Sequence, residues 1–326
     1  MNEIVAKILK ENLTLHKDEA HKLIHLIAEN QINDSQIIAL MMCIQLRAYT
    51  LEEINGFRTA LLELSIPIQL DTENAIDLCG TGGDGKNTFN ISTTTAFVLA
   101  SMNYNVIKHG NYGVSSSCGS SNVLENLGYI FTNNETQLQD ELQKNNICFL
   151  HAPLFHPALK KVGKLRADLA LKTFFNTLGP LINPVQPAHQ LAGTFSLELA
   201  KMYQYILKPL RKQYKIIYGL DGYDEITLTD YTKVLGNKTE QTISAQNFDL
   251  ERIEPQKLYA GNTVMESSKI LVSILKGTGT EEQMQVVAVN TAVAMQCFHP
   301  EEDLKILHKE AIKHIKSGAV NRKFKF

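Results

Sequence analysis

The stretch Gly80-Thr81-Gly82-Gly83-Asp84-Gly85 follows directly on a short, mostly apolar run, Ala75-Ile76-Asp77-Leu78-Cys79. Glycines let the backbone approach a ligand closely and turn its N–H groups toward one anion. Asn90-Ile91-Ser92-Thr93-Thr94-Thr95 comes next and opens an apolar helical segment, Ala96-Phe97-Val98-Leu99-Ala100. A helix N-terminus lined with hydroxyls is a natural phosphate site. The Walker A spacing is absent. The dinucleotide string G-x-G-x-x-G is present at Gly80, Gly82 and Gly85, but the acidic residue it needs at the end of a second strand is missing, and that run ends at Lys108. The glycines alone also suit a structural turn.

Three further groups could do chemistry. Lys108-His109-Gly110-Asn111 runs into Tyr112-Gly113-Val114-Ser115-Ser116-Ser117-Cys118-Gly119-Ser120. The lysine offers a point charge to phosphate, and the glycines and serines offer backbone and hydroxyl donors. By itself His109 reads more readily as a packed structural histidine than as a catalyst. Asp224-Glu225 follows a strand-like run, and two adjacent carboxylates beside substrate phosphates suit Mg²⁺. Arg166 sits on a helical stretch, where an arginine facing a cleft can grip a carboxylate in two-point fashion. Each has an ordinary alternative: a solvated loop, a surface acidic pair, a solvated helix arginine.

These groups need a frame. Up to about Gln69 the apolar residues recur at helical spacing: Ile4, Ile8 and Leu9, then Ala20, Leu23, Ile24 and Ile27. Asn33-Asp34-Ser35 reads as a helix start, and Thr50-Leu51-Glu52-Glu53 has capping-box spacing. Beyond this stretch, short apolar runs at 75–79, 105–108, 147–150, 191–195 and 215–219 alternate with helical segments. That rhythm predicts an α/β domain with a mostly parallel sheet, whose ligands sit at the carboxyl ends of its strands. Residues 163–178 read as helical, before Gly179-Pro180 and Asn183-Pro184 break the pattern. The expected architecture is a small all-helical domain at 1–69, and a large α/β domain with flanking helices at 70–162 and 187–326.

Composition removes other classes. The chain has 326 residues and a formal charge of −2, so no global field draws it to nucleic acid or an anionic membrane. The basic residues Arg322, Lys323 and Lys325 read as a short solvated tail. Five cysteines without a C-x-x-C pair argue against a disulfide framework and a structural zinc site. Charges run through the first residues, and no apolar run approaches the roughly 20 residues needed to span a bilayer. A reduced, cytoplasmic protein is expected.

The order of the pieces is specific. Gly80-Thr81-Gly82-Gly83-Asp84, Asn90-Ile91-Ser92-Thr93, Lys108-His109-Gly110-Asn111 and Gly119-Ser120 resemble the anthranilate phosphoribosyltransferase family. So do Ala152-Pro153-Leu154-Phe155-His156-Pro157-Ala158, Arg166, the run from Phe175 to Pro184, and Asp224-Glu225-Ile226. The resemblance covers essentially the whole chain. It implies transfer of phosphoribosyl from phosphoribosyl diphosphate (PRPP) to anthranilate, a Mg²⁺ cofactor, a homodimer, and a cleft at the hinge between domains. Residues 163–186 would rejoin the small domain. Gly80, Gly83, Asp84, Thr88, Asn90, Ile91, Ser92, Thr93, Lys108, His109, Gly110, Asn111, Ser116 and Ser120 would hold PRPP. Gly80, Asn111, Arg166 and Gly179 would line the anthranilate path, and Ser92, Asp224 and Glu225 would bind the metal. Tyr112, Ser117 and Asn122 stand where many members carry arginine, lysine and aspartate, so this loop is less charged. No nucleophile–base pair occurs, and none is needed, because an aromatic amine is neutral near pH 7 and can attack directly. The enzyme alternative is a pyrimidine nucleoside phosphorylase, which has a similar fold. The alternative from another class is a nucleic-acid-binding relative without activity.

Overall fold

The computed structural model describes residues 2–113, 118–210 and 213–325. The chain opens with four helices: α1 (Glu3–Leu9), α2 (Lys17–Ala28), α3 (Asp34–Leu46) and α4 (Leu51–Glu63). Their starts follow the sequence signals. The Asn33 side chain accepts from the Gln36 N–H at 2.9 Å, and Thr50 Oγ1 from the Glu53 N–H at 3.2 Å. Each satisfies a donor that a helix end otherwise leaves unpaired.

Next comes β1 (Ala75–Gly80), then α5 (Ile91–Ser101), β2 (Asn105–Gly110), α6 (Ser120–Asn126), α7 (Glu135–Asn145) and β3 (Ile147–His151). α8 (Ala152–Phe155), α9 (Leu159–Leu169), β4 (His189–Gly193), α10 (Leu197–Leu207) and β5 (Gln213–Gly219) follow. β6 (Thr232–Gly236), β7 (Glu240–Ile243), α11 (Val264–Leu275), α12 (Glu281–Met295), α13 (Leu304–Lys316) and α14 (Ala319–Phe324) complete the chain. The sheet order is β3-β2-β1-β4-β5-β6-β7; the first five strands pair in parallel and the last two pair antiparallel.

The order matters for function. From β1 the chain moves outward through β2 and β3, then returns to place β4 on the other side of β1. That reversal opens a crevice at the carboxyl ends of β1 and β4. Helices cover both faces: α5, α11 and α12 pack on Ile76, Leu78, Val106 and Leu191, while α10 packs on Ile216 and Tyr214. The second of these cores also takes in α1–α4 and Val162, Leu165, Phe174, Phe175, Leu178 and Leu181. Phe57 of α4 lies 4.6 Å from Phe174, ring to ring, so the 163–186 segment packs directly on the N-terminal helices.

Three expectations are corrected. The helix expected over 163–178 runs instead from Leu159 to Leu169 and stops where Ala170 turns left-handed (φ 52°). Phe174–Thr177 is a single 3₁₀ turn, closed by the Asn176 side chain accepting from the Thr173 N–H at 3.0 Å. The strands β6 and β7 escaped notice because they are only five and four residues long and carry polar residues among the apolar ones; β7 is the largely exposed edge. The basic C-terminus is not a solvated tail. It forms α14, with Val320 buried and Lys323 Nζ donating to the Ala100 carbonyl at 2.7 Å and to Asn146 Oδ1 at 2.6 Å.

Candidate active site

The crevice between β1 and β4 holds a cleft of about 260 Å³. Gly80 and Gly193 are paired across these two strands at their carboxyl ends. A Cβ on Gly193 would lie 1.7 Å from the Asp224 backbone oxygen, and one on Gly80 would lie 2.5 Å from Asp224 Oδ2. The missing side chains are the space that Asp224 fills. Gly82, Gly83 and Gly85 all have positive φ, which curls the loop after β1 around the same carboxylate. The Gly82 N–H donates to Asp224 Oδ2 at 2.6 Å, and the Lys86 N–H donates to Asp84 Oδ1 at 2.9 Å.

Glu225 faces the first turn of α5, where the Ser92 N–H donates to its Oε1 at 3.2 Å. Lys108, buried at the end of β2, donates to the Leu78 carbonyl and to Ser92 Oγ at 3.4 Å. Burial raises the pKa of both Asp224 and Glu225, and repulsion adds to it: Asp84 acts on Asp224, and Asp224 on Glu225. Lys108 and Ser92 offset this at Glu225. Two crowded carboxylates with the Ser92 hydroxyl beside Glu225 and a net want of positive charge are the hard oxygen set that Mg²⁺ takes. These residues fit that ion.

The other wall comes from β2 and from the segment after α9. His109 is fixed from two sides: its N–H donates to Asp77 Oδ1 at 3.1 Å, and its ring Nδ1 donates to the Gly179 carbonyl at 3.2 Å. Asn183 donates to Asp77 Oδ2 at 3.0 Å and completes the brace. Burial holds the His109 ring down at about 4, so it is neutral. It is a packed, positioning histidine. Arg166 projects from α9 over the Phe175 ring, 6.0 Å from its centroid. Burial lowers its pKa to about 10, and its Nε has no hydrogen-bond partner among the described residues. Thr81 Oγ1 and Asn90 Oδ1 also line the cleft without a partner among the described residues. Buried polar atoms left unpaired cost about 1–3 kcal/mol each, which a ligand's polar groups can recover.

Gly110 and Asn111 lead into a turn held by α6. The Asn122 side chain accepts from both the Gly113 and the Gly119 N–H at 3.0 Å. Ser120 Oγ donates to the Asn111 carbonyl at 3.4 Å. A Cβ on Gly119 would lie 2.2 Å from the Gly113 nitrogen, so the turn can close only over glycine.

The comparisons with known proteins agree with this geometry. Residues 2–65 match the glycosyl transferase family helical bundle domain, and residues 72–321 match the glycosyl transferase family a/b domain. The chain is 48% identical over 295 residues to the anthranilate phosphoribosyltransferase of Christiangramia forsetii, covering 90% of this chain and 89% of the relative. It is 42% identical to that of Cytophaga hutchinsonii over 98% of both chains. The chain belongs to the anthranilate phosphoribosyltransferase family. Among solved structures, the family's Thermus thermophilus member superposes with a TM-score of 0.90 at 27% identity, covering 99% of this chain and 98% of that one. The Saccharomyces cerevisiae member, in complex with PRPP and Mg, gives 0.88 at 26% identity, covering 99% and 95%.

Against that family background, the cleft gathers Gly80, Gly83, Asp84, Thr88, Asn90, Ile91, Ser92, Thr93, Lys108, His109, Gly110, Asn111, Ser120, Arg166, Gly179, Asp224 and Glu225. Ser116, and with it Ser117, lies outside the described residues. Sequence reasoning missed Lys86, whose ammonium lies 4.7 Å over the Tyr223 ring at the rim, and Phe175 as the surface under Arg166. It also missed Gly193, whose need for glycine arises only from Asp224. Cys79 lines the cleft, but burial pushes its thiol up to about 12, so it offers no thiolate nucleophile.

Proposed function

We propose that this protein transfers the phosphoribosyl group of PRPP to the amine of anthranilate, giving N-(5-phosphoribosyl)anthranilate and pyrophosphate, the second step from chorismate toward tryptophan. The observation that carries the reading is that one cleft holds two features of opposite charge: the Asp224–Glu225 carboxylate pair and the buried, partly unpaired Arg166. A substrate set with a polyphosphate at one end and a carboxylate at the other uses both.

In this reading the positive-φ glycine loop, Asp84, Thr88, Asn90 to Thr93, Lys108 to Asn111, Ser116 and Ser120 hold PRPP. Asn111, Arg166, Gly80 and Gly179 orient anthranilate. Ser92, Asp224 and Glu225 hold Mg²⁺, which neutralises charge on the departing pyrophosphate when bound. The chain's own share is positioning and preorganisation. The Gly82 N–H and the Ser92 N–H at the α5 N-terminus hold the Asp224 and Glu225 carboxylates in place before reaction begins. Arg166, above the Phe175 ring, grips the carboxylate and aims the neutral amine at C1 of the ribose. The bond from C1 to pyrophosphate breaks as the bond from nitrogen forms, and the amine's surplus proton passes to solvent or phosphate. No side chain is alkylated.

The same reading groups residues 1–69 with 163–186 as the small domain, whose hinge against 70–162 and 187–326 carries the cleft. The packing of Phe174 and Phe175 on the N-terminal helices supports it. It makes the working form a homodimer in the cytoplasm. No described helix is long and apolar enough to cross a membrane. The test is pyrophosphate release from PRPP with and without anthranilate. Release that depends on anthranilate is expected. Phosphorolysis of thymidine or uridine in its place would assign the phosphorylase reaction, and a DNA mobility shift at physiological salt would assign the binder.

A further inference from the structure

Outside the cleft, α2 presents His21 and His25 one helical turn apart, and Glu63 closes α4 against them. The two helices meet at unusually short range. A Cβ on Gly56 would lie 2.3 Å from the Lys17 carbonyl oxygen and 2.9 Å from the His21 nitrogen. That contact fixes the register of α2 on α4, and Glu63 lies two turns further along the same face of α4. The three donor atoms all fall within 4.8 Å of one another. His21 Nε2 lies 2.6 Å from Glu63 Oε2, and His25 Nε2 lies 3.7 Å from the same oxygen. The two rings sit 4.7 Å apart, centroid to centroid.

We propose that His21, His25 and Glu63 form a binding site for a zinc-class transition-metal ion that ties α2 to the end of α4. Donors of a tetrahedral ion bound at roughly 2.0–2.1 Å are about 3.3 Å apart, and the observed separations lie on either side of that value. Imidazole and carboxylate are the ligand types that zinc takes, and two histidines at i and i+4 on one helix point to one side of it. His25 Nε2 is the most telling atom. It is shielded from water, yet it has no hydrogen-bond partner among the described residues. The Glu63 carboxylate already serves His21 at hydrogen-bond distance, and at 3.7 Å it offers His25 Nε2 only a long ion-pair contact. One cation satisfies all three groups. On binding, the ion displaces the proton shared between His21 and Glu63. Glu63 is largely exposed, so water completes the coordination.

The test uses the full-length protein, freed of metal with a chelator that is then removed, with millimolar Mg²⁺ present to occupy the Asp224–Glu225 site. Zn²⁺ is titrated in by calorimetry. One saturable site per chain is expected, with the thermal midpoint rising as zinc is added. His25→Gln and Glu63→Gln should each weaken zinc binding by at least about tenfold, the loss that removing even an outer-shell partner of a metal ligand brings. Glu63 is on the surface, so its variant folds even if the histidine variant does not. A wild-type protein with no saturable zinc binding, or a Glu63→Gln variant that binds as the wild type does, overturns the proposal.

Discussion

Gly193→Ala is the sharpest test of how this cleft is built. The added methyl would stand 1.7 Å from the Asp224 carbonyl oxygen and 2.8 Å from the Asp224 carbonyl carbon. These are backbone atoms, so no rotamer change relieves the contact. A Cβ needs at least 3.0 Å, so Asp224 must retreat by more than about 1 Å. A displacement of that size at a reacting centre costs about 100-fold in rate, or ~2.7 kcal/mol. Overpacking adds about 1–3 kcal/mol of lost stability. Steady-state kinetics should therefore show kcat/KM down about 100-fold with a raised Mg²⁺ requirement, in a protein whose circular dichroism remains native. Gly163→Ala, on the same scaffold, meets no atom within 4 Å and lies inside α9. It should keep full activity and gain about 0.5–1 kcal/mol. A Gly193→Ala enzyme with wild-type kcat/KM and Mg²⁺ dependence would refute the claim that Gly193 exists to seat Asp224.

Arg166→Ala should raise the KM for anthranilate about 10- to 100-fold, in line with ~1.5–3 kcal/mol for a charge-assisted hydrogen bond, while the KM for PRPP changes little; an unchanged anthranilate KM removes Arg166 from that site. Asp224→Asn combined with Glu225→Gln should abolish Mg²⁺-dependent turnover, and full activity in the double variant would sink the metal assignment. Acid should destabilise the fold early. Burial holds His109 at about 4, His156 at about 3 and His308 at about 4, against an unfolded value near 6.5. The unfolded chain therefore takes up protons first. Stability fully present above pH 6.5 is lost as pH falls toward 4, by roughly 3 kcal/mol for His109 alone. Asp224 and Glu225, raised to about 7 and about 8, act in the opposite sense over this range, so the test uses the Asp224→Asn, Glu225→Gln variant. Its urea midpoints should fall steadily from pH 7 to 4.5, whereas a flat profile would mean these rings are not buried neutral.

What the sequence made legible were features whose cause is local. The glycine loop follows its strand within one residue, and the hydroxyl-rich start of α5 declares itself, because both signals lie within a few positions of the chemistry. The parallel strands from β1 to β5 announced themselves as apolar runs because helices bury both their faces. Features set by distant partners were not legible. Gly193 looks like any strand glycine until Asp224 is placed on it. The brace of Asp77, His109 and Asn183 joins three segments far apart in the chain. Residues 170–178 keep apolar spacing, yet they form no α-helix beyond one 3₁₀ turn, because Phe174, Phe175 and Leu178 are anchored individually in the core they share with α1–α4. β6 and β7 were invisible for another reason: they are only five and four residues long, and their sequences TKVLG and EQTI mix polar with apolar residues, so no apolar run shows even though most of β6 is buried.

The central claim, that the cleft joins anthranilate to the phosphoribosyl group with the help of Mg²⁺, is tested most directly by following anthranilate fluorescence over time, with PRPP and Mg²⁺ both present and with each omitted in turn. The account predicts loss of fluorescence only when both are present. No loss with correctly folded protein, or loss that does not need PRPP, would contradict it.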